Sequence, residues 1–503
     1  MSNKFEQYKG LMKRVADVHH TIALLHWDQE TIMPSKGAAF RAQQIGTLAG
    51  ISHEMFVDEK LGGLLNELNN DSSLNEREAK NIQETLKDYE KKKKYPTEFV
   101  EKLSVTVAES THVWEKAREA DDFSMFELHL QKVIELKRQE CDILGYEEHP
   151  YNAMLDNFEP GAKVADLDVL FTDVRKQLVD FVKKIGQKAQ VEDSFLKKHY
   201  DHQKQWDFGI DLLKQMHYDF DAGLQELSAH PFTTNFNPCD VRVTTRINEN
   251  DFTSMTWSCI HEGGHALYEQ GLSTDDYGLP TGDAISLGVH ESQSRLWENH
   301  VGRGYGYWVA NYPHLQGLFD ENLSNVSLDE FYKAINLVKP SLIRVEADEL
   351  TYHSHILIRY EIEKALMAGD VEVKDLPEYW NSKYKEYLDV DVPSNKEGVL
   401  QDIHWSSGLI GYFPTYSIGS FYSAQYFAKA KEEIPDLTSQ IESGELKPLL
   451  DWLRDKIHQH GRMYSAEELC VKVTGEKLNF QHFMDYAEKK YSEIYDLKME
   501  EAL

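Results

Sequence analysis

The sequence predicts a mostly α fold carrying one small β-sheet or hairpin, and three observations carry that reading. Apolar residues recur at three- and four-residue steps through most of the chain, as on the buried face of a helix. The best strand signal, Cys239 to Ile247, alternates and is β-branched. No linker rich in proline, glycine or serine appears, and no internal repeat divides the chain. Residues 1–503 therefore read as one continuous domain, with the polar stretch 190 to 205 the weakest candidate for a boundary.

Residues 1 to 60 read as helix from Leu11, Val15, Val18, Ile22 and Leu25. Trp27-Asp28, just before the stop at Pro34, could bind a ligand, although a buried Trp at a helix end explains it more simply. Helical patterning continues to residue 150, broken at Asn69 to Ser73 and before Pro96, with an apolar stripe from Trp114 to Leu136. The stretch Tyr151 to Gly161 ends in a loop, and an amphipathic helix follows from about Ala165 to Lys188. The strand signal leads into Trp257 to Glu269, which contains His261-Glu262-Gly263-Gly264-His265.

On a helix, His261 and His265 share a face and can turn both imidazoles to one metal ion, while Glu262 reaches a water beside it. Gly263 and Gly264 should each cost about 1 kcal/mol relative to alanine. Their presence predicts that a substrate strand or an abutting helix approaches the backbone there. A two-histidine site needs a third protein ligand and an open position. Candidates lie on a second predicted helix at His290 to Asn299, where Glu291 and Glu298 are both possible. Ile343 to His353 places Arg344 on a predicted helix, where its fork could hold a carboxylate or pair with Glu346, Asp348 or another acid. Gly398 to Gly419 concentrates polar, aromatic and glycine residues as an active-site loop does, and His404 and Tyr416 there are donors of the kind that stabilise an oxyanion.

Composition limits the classes of function. Hydrophobic residues at 41% and charged residues at 28% are ordinary for a globular protein. A net charge of -31 argues against nucleic acid or an anionic membrane as a partner. No apolar run approaches the ~20 residues of a membrane span, and the N-terminus lacks the apolar core of a secretory signal, so a cytoplasmic location is expected. Cys141, Cys239, Cys259 and Cys470 have no C-x-x-C spacing, which argues against a disulfide framework or thiolate zinc site.

Taken together, five ordered blocks resemble the thermostable, Taq-type family of HExxH zinc metallocarboxypeptidases. They are Asp240-x-Arg242-x-Thr244, His261-Glu262-x-x-His265, His290-Glu291-Ser292 with Gln293, Ile343-Arg344-x-x-Ala347-Asp348, and Gly398-x-x-Gln401-Asp402-x-His404-Trp405. Val241 stands where proline is frequent in the family, at a position not expected to touch the metal. The resemblance implies a large helical, saddle-shaped fold with a long cleft, residues 1–200 forming an N-terminal helical half that lines it and residues 201–503 a metal-binding catalytic half. It implies Glu291, rather than Glu298, as third ligand of a single Zn2+, with Co2+ a possible substitute. It also implies a homodimer that removes single residues from free peptide C-termini with broad specificity.

On that reading Glu262 is the general base, His404 and Tyr416 are oxyanion donors, and Arg344 holds the substrate carboxylate. Arg242 is assigned with it to substrate binding, the plainer alternative being a pairing with Asp240. An oligoendopeptidase or dipeptidyl carboxypeptidase would share the H-E-x-x-H but lack the other four blocks. A non-catalytic metal-binding protein would lack a ligand or the glutamate, and all four groups are here.

Overall fold

The structure, a computed structural model, describes residues 3–497. In chain order, α1 (Asn3–Thr31), α2 (Ala38–Phe56), α3 (Glu59–Leu68), α4 (Glu76–Lys93), α5 (Thr97–Ala120), α6 (Ser124–Leu144) and the short α7 (Tyr151–Leu155) come first. Strands β1 (Gln225–Leu227), β2 (Thr233–Asn237) and β3 (Asp240–Thr245) follow. Then come α8 (Phe252–Gln270), α9 (Leu287–Arg295), α10 (Thr351–Ala368), α11 (Pro414–Glu433) and α12 (Gln481–Ile494), with further helices between. The mostly α prediction with one small sheet holds.

The described residues group into two compact units, each discontinuous in sequence. One comprises 3–93, 192–335 and 422–478, and the other 94–191, 336–421 and 479–497.

In the first unit, Phe5, Tyr8 and Met12 of α1 are buried with Leu61, Leu65 and Leu68 of α3 and Ile82 and Tyr89 of α4. The four- and three-residue spacing of the leucines makes one stripe of α3 apolar, which is why that face is buried. Tyr8 satisfies its buried hydroxyl against Thr85 Oγ1 at 2.6 Å. The strand read from Cys239 to Ile247 is β3, and it is the central strand: β1 pairs with it in parallel and β2 antiparallel. Val241 and Val243 point from it into the core.

In the second unit, α10 is buried along nearly its whole length, and its polar residues His353, His355, Arg359 and Glu363 are buried with it. Each therefore needs partners.

Three local expectations changed. Ala165 to Lys188 is not one regular helix: it runs as Val164–Val174, a π-helical stretch Arg175–Val179, and Asp180–Gly186. The predicted helix of His290 to Asn299 likewise passes from α9 into a π-helical stretch, Leu296–Gly302. Arg344 does not lie on a regular α-helix but in a single 3-10 turn, Arg344–Glu346. The reason is Asp348, whose Oδ1 accepts from the backbone N–H of Leu350 and Thr351 at 3.0 Å each and so starts α10 only beyond it.

Candidate metal centre and active site

Helix α8 begins at Asp251, whose side chain accepts from the Thr253 N–H. The two glycines inside it are explained by close approach. A Cβ on Gly264 would sit 2.6 Å from Ser294 Cα and 2.8 Å from the Gln293 carbonyl oxygen, so α9 lies directly against α8 there. Of the two explanations open from sequence, the abutting helix is the one found. That contact brings Glu291 to the histidines.

His261 Nε2 and His265 Nε2 lie 3.7 and 3.5 Å from Glu291 Oε2. The donor atoms of these three residues all fall within 4.8 Å of one another, the one such His/Cys/Asp/Glu group among the described residues. Donors ~2.1 Å from a tetrahedral ion are ~3.4 Å apart, so two imidazoles and one carboxylate at these separations fit a zinc-sized ion.

The opposite atom of each residue is taken. His261 Nδ1 is 2.9 Å from Glu298 Oε2. His265 Nδ1 is 2.5 Å from His290 Nδ1, and His290 Nε2 is 2.8 Å from Glu269 Oε1, whose other oxygen accepts from Asn235. Glu291 Oε1 accepts from Arg295 Nε at 2.7 Å. The two Nε2 atoms and Glu291 Oε2 remain to face one point, apart from a 3.5 Å approach of Ser294 Oγ to that oxygen. Glu298 in turn accepts from Arg295 and Arg303, and Arg303 stacks 4.1 Å over the Trp257 ring.

The charge states of His265 and Glu291 suit ligation; at His261 burial lowers the pKa but the Glu291 and Glu298 carboxylates outweigh it and raise it, so metal must displace a proton there. Burial, followed by the neighbouring His290, drives the His265 pKa down to about 3. Burial alone would raise the Glu291 carboxyl, but Arg295 and His261 together hold it well below the carboxylate range. A neutral imidazole and an ionised carboxylate are the ligating forms.

Glu262 is buried beside this group. Thr233 Oγ1, on the edge strand β2, lies 2.7 Å from Glu262 Oε2 and 3.0 Å from its carbonyl oxygen. Oε1 has no hydrogen-bond partner among the described residues. Burial pushes the Glu262 carboxyl up, with His261 and the Thr233 hydroxyl opposing.

Arg242, in the same unit, gives Nε and Nη2 to the two oxygens of Asp240 at 2.8 and 2.9 Å, and lies over the rings of Trp27 and Phe236. Trp27 is buried, and Asp28 pairs with Arg41 at 2.6 Å. Cys259 is buried as well, as its reading as a small apolar residue expects.

The second unit gathers Arg344, His404 and Tyr416. Arg344 Nε donates to Asp402 Oδ1 at 2.9 Å and Nη1 to the Tyr352 hydroxyl at 3.0 Å, while Nη2 makes no hydrogen bond among the described residues. The acid that pairs with it is thus Asp402, not Glu346 or Asp348. Arg359 holds the other Asp402 oxygen, and Gln401 Oε1 accepts from Arg359 and from the Arg344 backbone. His404 Nε2 is 3.3 Å from the Tyr416 hydroxyl, and its ring packs 4.3 Å from that of Phe413. Burial, then Arg344, lowers the His404 pKa to about 3, so the imidazole is neutral near pH 7.

Sequence reasoning overlooked Glu269, His290, Arg295, Arg303 and Thr233 as supports, and weighed Glu298 only as a rival ligand. Part of the signal was present. Glu269 continues the four-residue spacing of His261 and His265, and Arg295 stands four residues after Glu291. The π-helical stretch that carries Glu298 leaves no trace in periodicity.

The family model described as carboxypeptidase Taq (M32) metallopeptidase matches residues 7–491. The chain is 40% identical to thermostable carboxypeptidase 1 of Thermus thermophilus, covering 94% of this chain and 95% of that protein. It is 39% identical to carboxypeptidase 1 of Bacillus subtilis, covering 97% and 98% respectively. Among solved structures, the M32 carboxypeptidase from Deinococcus radiodurans R1 superposes with a TM-score of 0.97 at 36% identity, covering 99% of this chain and 100% of that one.

Proposed function

From its membership of the carboxypeptidase Taq (M32) metallopeptidase family, to which this chain belongs, we propose that the protein removes single residues from the free C-termini of peptides with broad specificity, using one Zn2+ held by His261, His265 and Glu291. The observation that carries the reading is the convergence of His261 Nε2, His265 Nε2 and Glu291 Oε2 with every opposite atom already bonded. Co2+ is the expected substitute, having the same charge and similar ligand preferences.

When bound, the ion supplies Lewis-acid polarisation of the scissile carbonyl and lowers the pKa of a water toward neutrality. Glu262 takes the proton of the attacking water on Oε1, the oxygen that Thr233 leaves open, and returns it to the leaving amine. His404 and Tyr416 donate to the developing oxyanion, a role worth ~3 kcal/mol per donor in comparable sites. Support for this pairing is their 3.3 Å contact and the neutral state of His404.

Arg344 grips the terminal carboxylate through the Nη2 amine that Asp402 and Tyr352 leave over. Arg242, its Nε and Nη2 given to Asp240, contributes to substrate binding through its remaining Nη1 donors. A homodimer in the cytoplasm completes the reading. Among the described residues no helix is long and apolar enough to cross a membrane.

Stripping the metal and titrating zinc back into the wild-type and Glu291→Ala proteins tests the site. Stoichiometric tight binding in the first and its loss in the second are expected. Equal affinity in both would remove Glu291 from the ligand set.

A further inference from the structure

Glu363 is a fully buried carboxyl that the chemistry above does not use. It sits on α10 one turn beyond Arg359, and three donors meet it. The Tyr151 hydroxyl donates to Oε2 at 2.5 Å, the Gly411 N–H to the same oxygen at 2.9 Å, and the Trp405 indole N–H to Oε1 at 2.8 Å. Trp405 and Gly411 are the two ends of a short irregular segment, and His404 is the residue immediately before it.

The same face of α10 holds the chain just upstream as well, because Arg359 binds both Asp402 and Gln401. His404 is thus bracketed by residues fixed to α10: Gln401 and Asp402 before it, Trp405 and Gly411 after it. The segment folds back on itself, with the Leu409 N–H donating to the His404 carbonyl at 2.8 Å. Gly411 has φ +95°, and a Cβ there would lie 2.7 Å from the Met154 backbone on α7, the helix that supplies Tyr151. The His404 ring is then trapped between Tyr412 and Phe413, with centroids 5.4 and 4.3 Å away.

We propose that Glu363 is a positioning residue for the reaction: by clamping Trp405, Gly411 and Tyr151 together, it sets the placement of the His404 imidazole and of the Tyr416 hydroxyl that it meets. The ionised carboxylate suits this task because all three neighbours are donors and it only accepts. Burial pushes the Glu363 pKa up to about 7, against the Tyr151, Gly411 and Trp405 donors, so the clamp is complete only above that pH. An amide of the same shape would turn an NH2 group toward at least one donor, leaving a buried pair unsatisfied. The proposal rests on the reading of His404 as an oxyanion donor.

The test is a double-mutant cycle of Glu363→Gln and His404→Ala in the zinc-loaded enzyme, reading kcat and KM separately along with zinc content and Tm. Glu363→Gln should lower kcat at least tenfold with KM within a few-fold of wild type and zinc content unchanged. Adding it to His404→Ala should produce little further loss. A Glu363→Gln enzyme with wild-type kcat beside an impaired His404→Ala enzyme, or losses that simply multiply, would overturn the positioning role and leave the reading of His404 standing. Full turnover in His404→Ala would overturn that reading and the proposal with it. Should Glu363→Gln not yield folded protein, Trp405→Phe removes one bond of the clamp and enters the same cycle with the same outcomes. Trp405→Phe that multiplies with His404→Ala refutes the clamp.

Discussion

Gly264→Ala is the substitution that bears hardest on how this site is assembled. The added methyl would stand 2.6 Å from Ser294 Cα, 2.8 Å from the Gln293 carbonyl oxygen and 3.1 Å from the Ser294 nitrogen. Carbon atoms in contact sit ~3.5 Å apart, so α8 and α9 must separate by about 0.9 Å. All three atoms are backbone, and no side chain can swing aside. Ser294 is three residues from Glu291 on one helix, so the displacement draws Glu291 away from His261 and His265.

Overpacking of this kind costs about 1–3 kcal/mol, and the better helix propensity of alanine returns about 1 kcal/mol, leaving a net loss of ~0–2 kcal/mol in stability. The site should suffer at least as much as the fold, since a 1 Å misplacement can cost on the order of 100-fold in rate, about 2.7 kcal/mol. The neighbouring Gly263→Ala is the control. Its methyl would meet Leu213 Cδ2 at 2.8 Å and Met216 Cε at 2.9 Å, the far ends of flexible side chains. Competition for zinc against a chromophoric chelator, with Tm recorded alongside, should show Gly264→Ala binding much more weakly and Gly263→Ala within a few-fold of wild type. Wild-type zinc affinity in Gly264→Ala, or equal losses in both, would refute the argument that this helix contact sets the ligand geometry.

Glu262→Gln should keep zinc at one equivalent by metal analysis while peptide turnover disappears; a fully active variant would end its assignment as base. Glu298→Gln should bind zinc about 10- to 100-fold more weakly, because outer partners that orient a ligating histidine have effects of that size, and chelator competition would expose an unchanged affinity as a contradiction. Arg344→Ala leaves Asp402 paired with Arg359, so the protein should remain folded while the preference for a free acid over a C-terminal amide collapses; equal losses of kcat/KM on both substrates would assign Arg344 another task. Removing the metal should lower Tm and restoring it should raise Tm, since a ligand at 1,000 times its Kd stabilises by about 4 kcal/mol; a Tm indifferent to metal would mean that the three donors do not bind it in the folded state.

The residues proposed to hold the ion and activate its water could be proposed from sequence because the chemistry of such a site leaves a local signature. His261, Glu262 and His265 depend on helical spacing alone, and the glycine pair announced a close approach before the approaching helix was known. Glu291 against Glu298 was different. Spacing allowed both, and the resemblance made the choice; the structure shows Glu298 bonded to the far nitrogen of His261, its position set by a π-helical stretch. Arg344 was read as helical because Asp348 was not recognised as the start of α10. The supports His290, Thr233 and Glu363 were illegible for another reason: each acts through a partner from a distant part of the chain. Thr233 and Glu262 are 29 residues apart, and Tyr151 and Glu363 are 212 apart. Such pairings follow from tertiary packing, on which local pattern is silent.

The most direct test is a mass-spectrometric time course on one unstructured peptide, supplied as free acid and as C-terminal amide, with chelator and with zinc added back. Stepwise loss of single residues from the free acid alone, abolished by chelator and restored by zinc, is the predicted result. Internal cuts on both peptides, or cleavage that persists without metal, would contradict it.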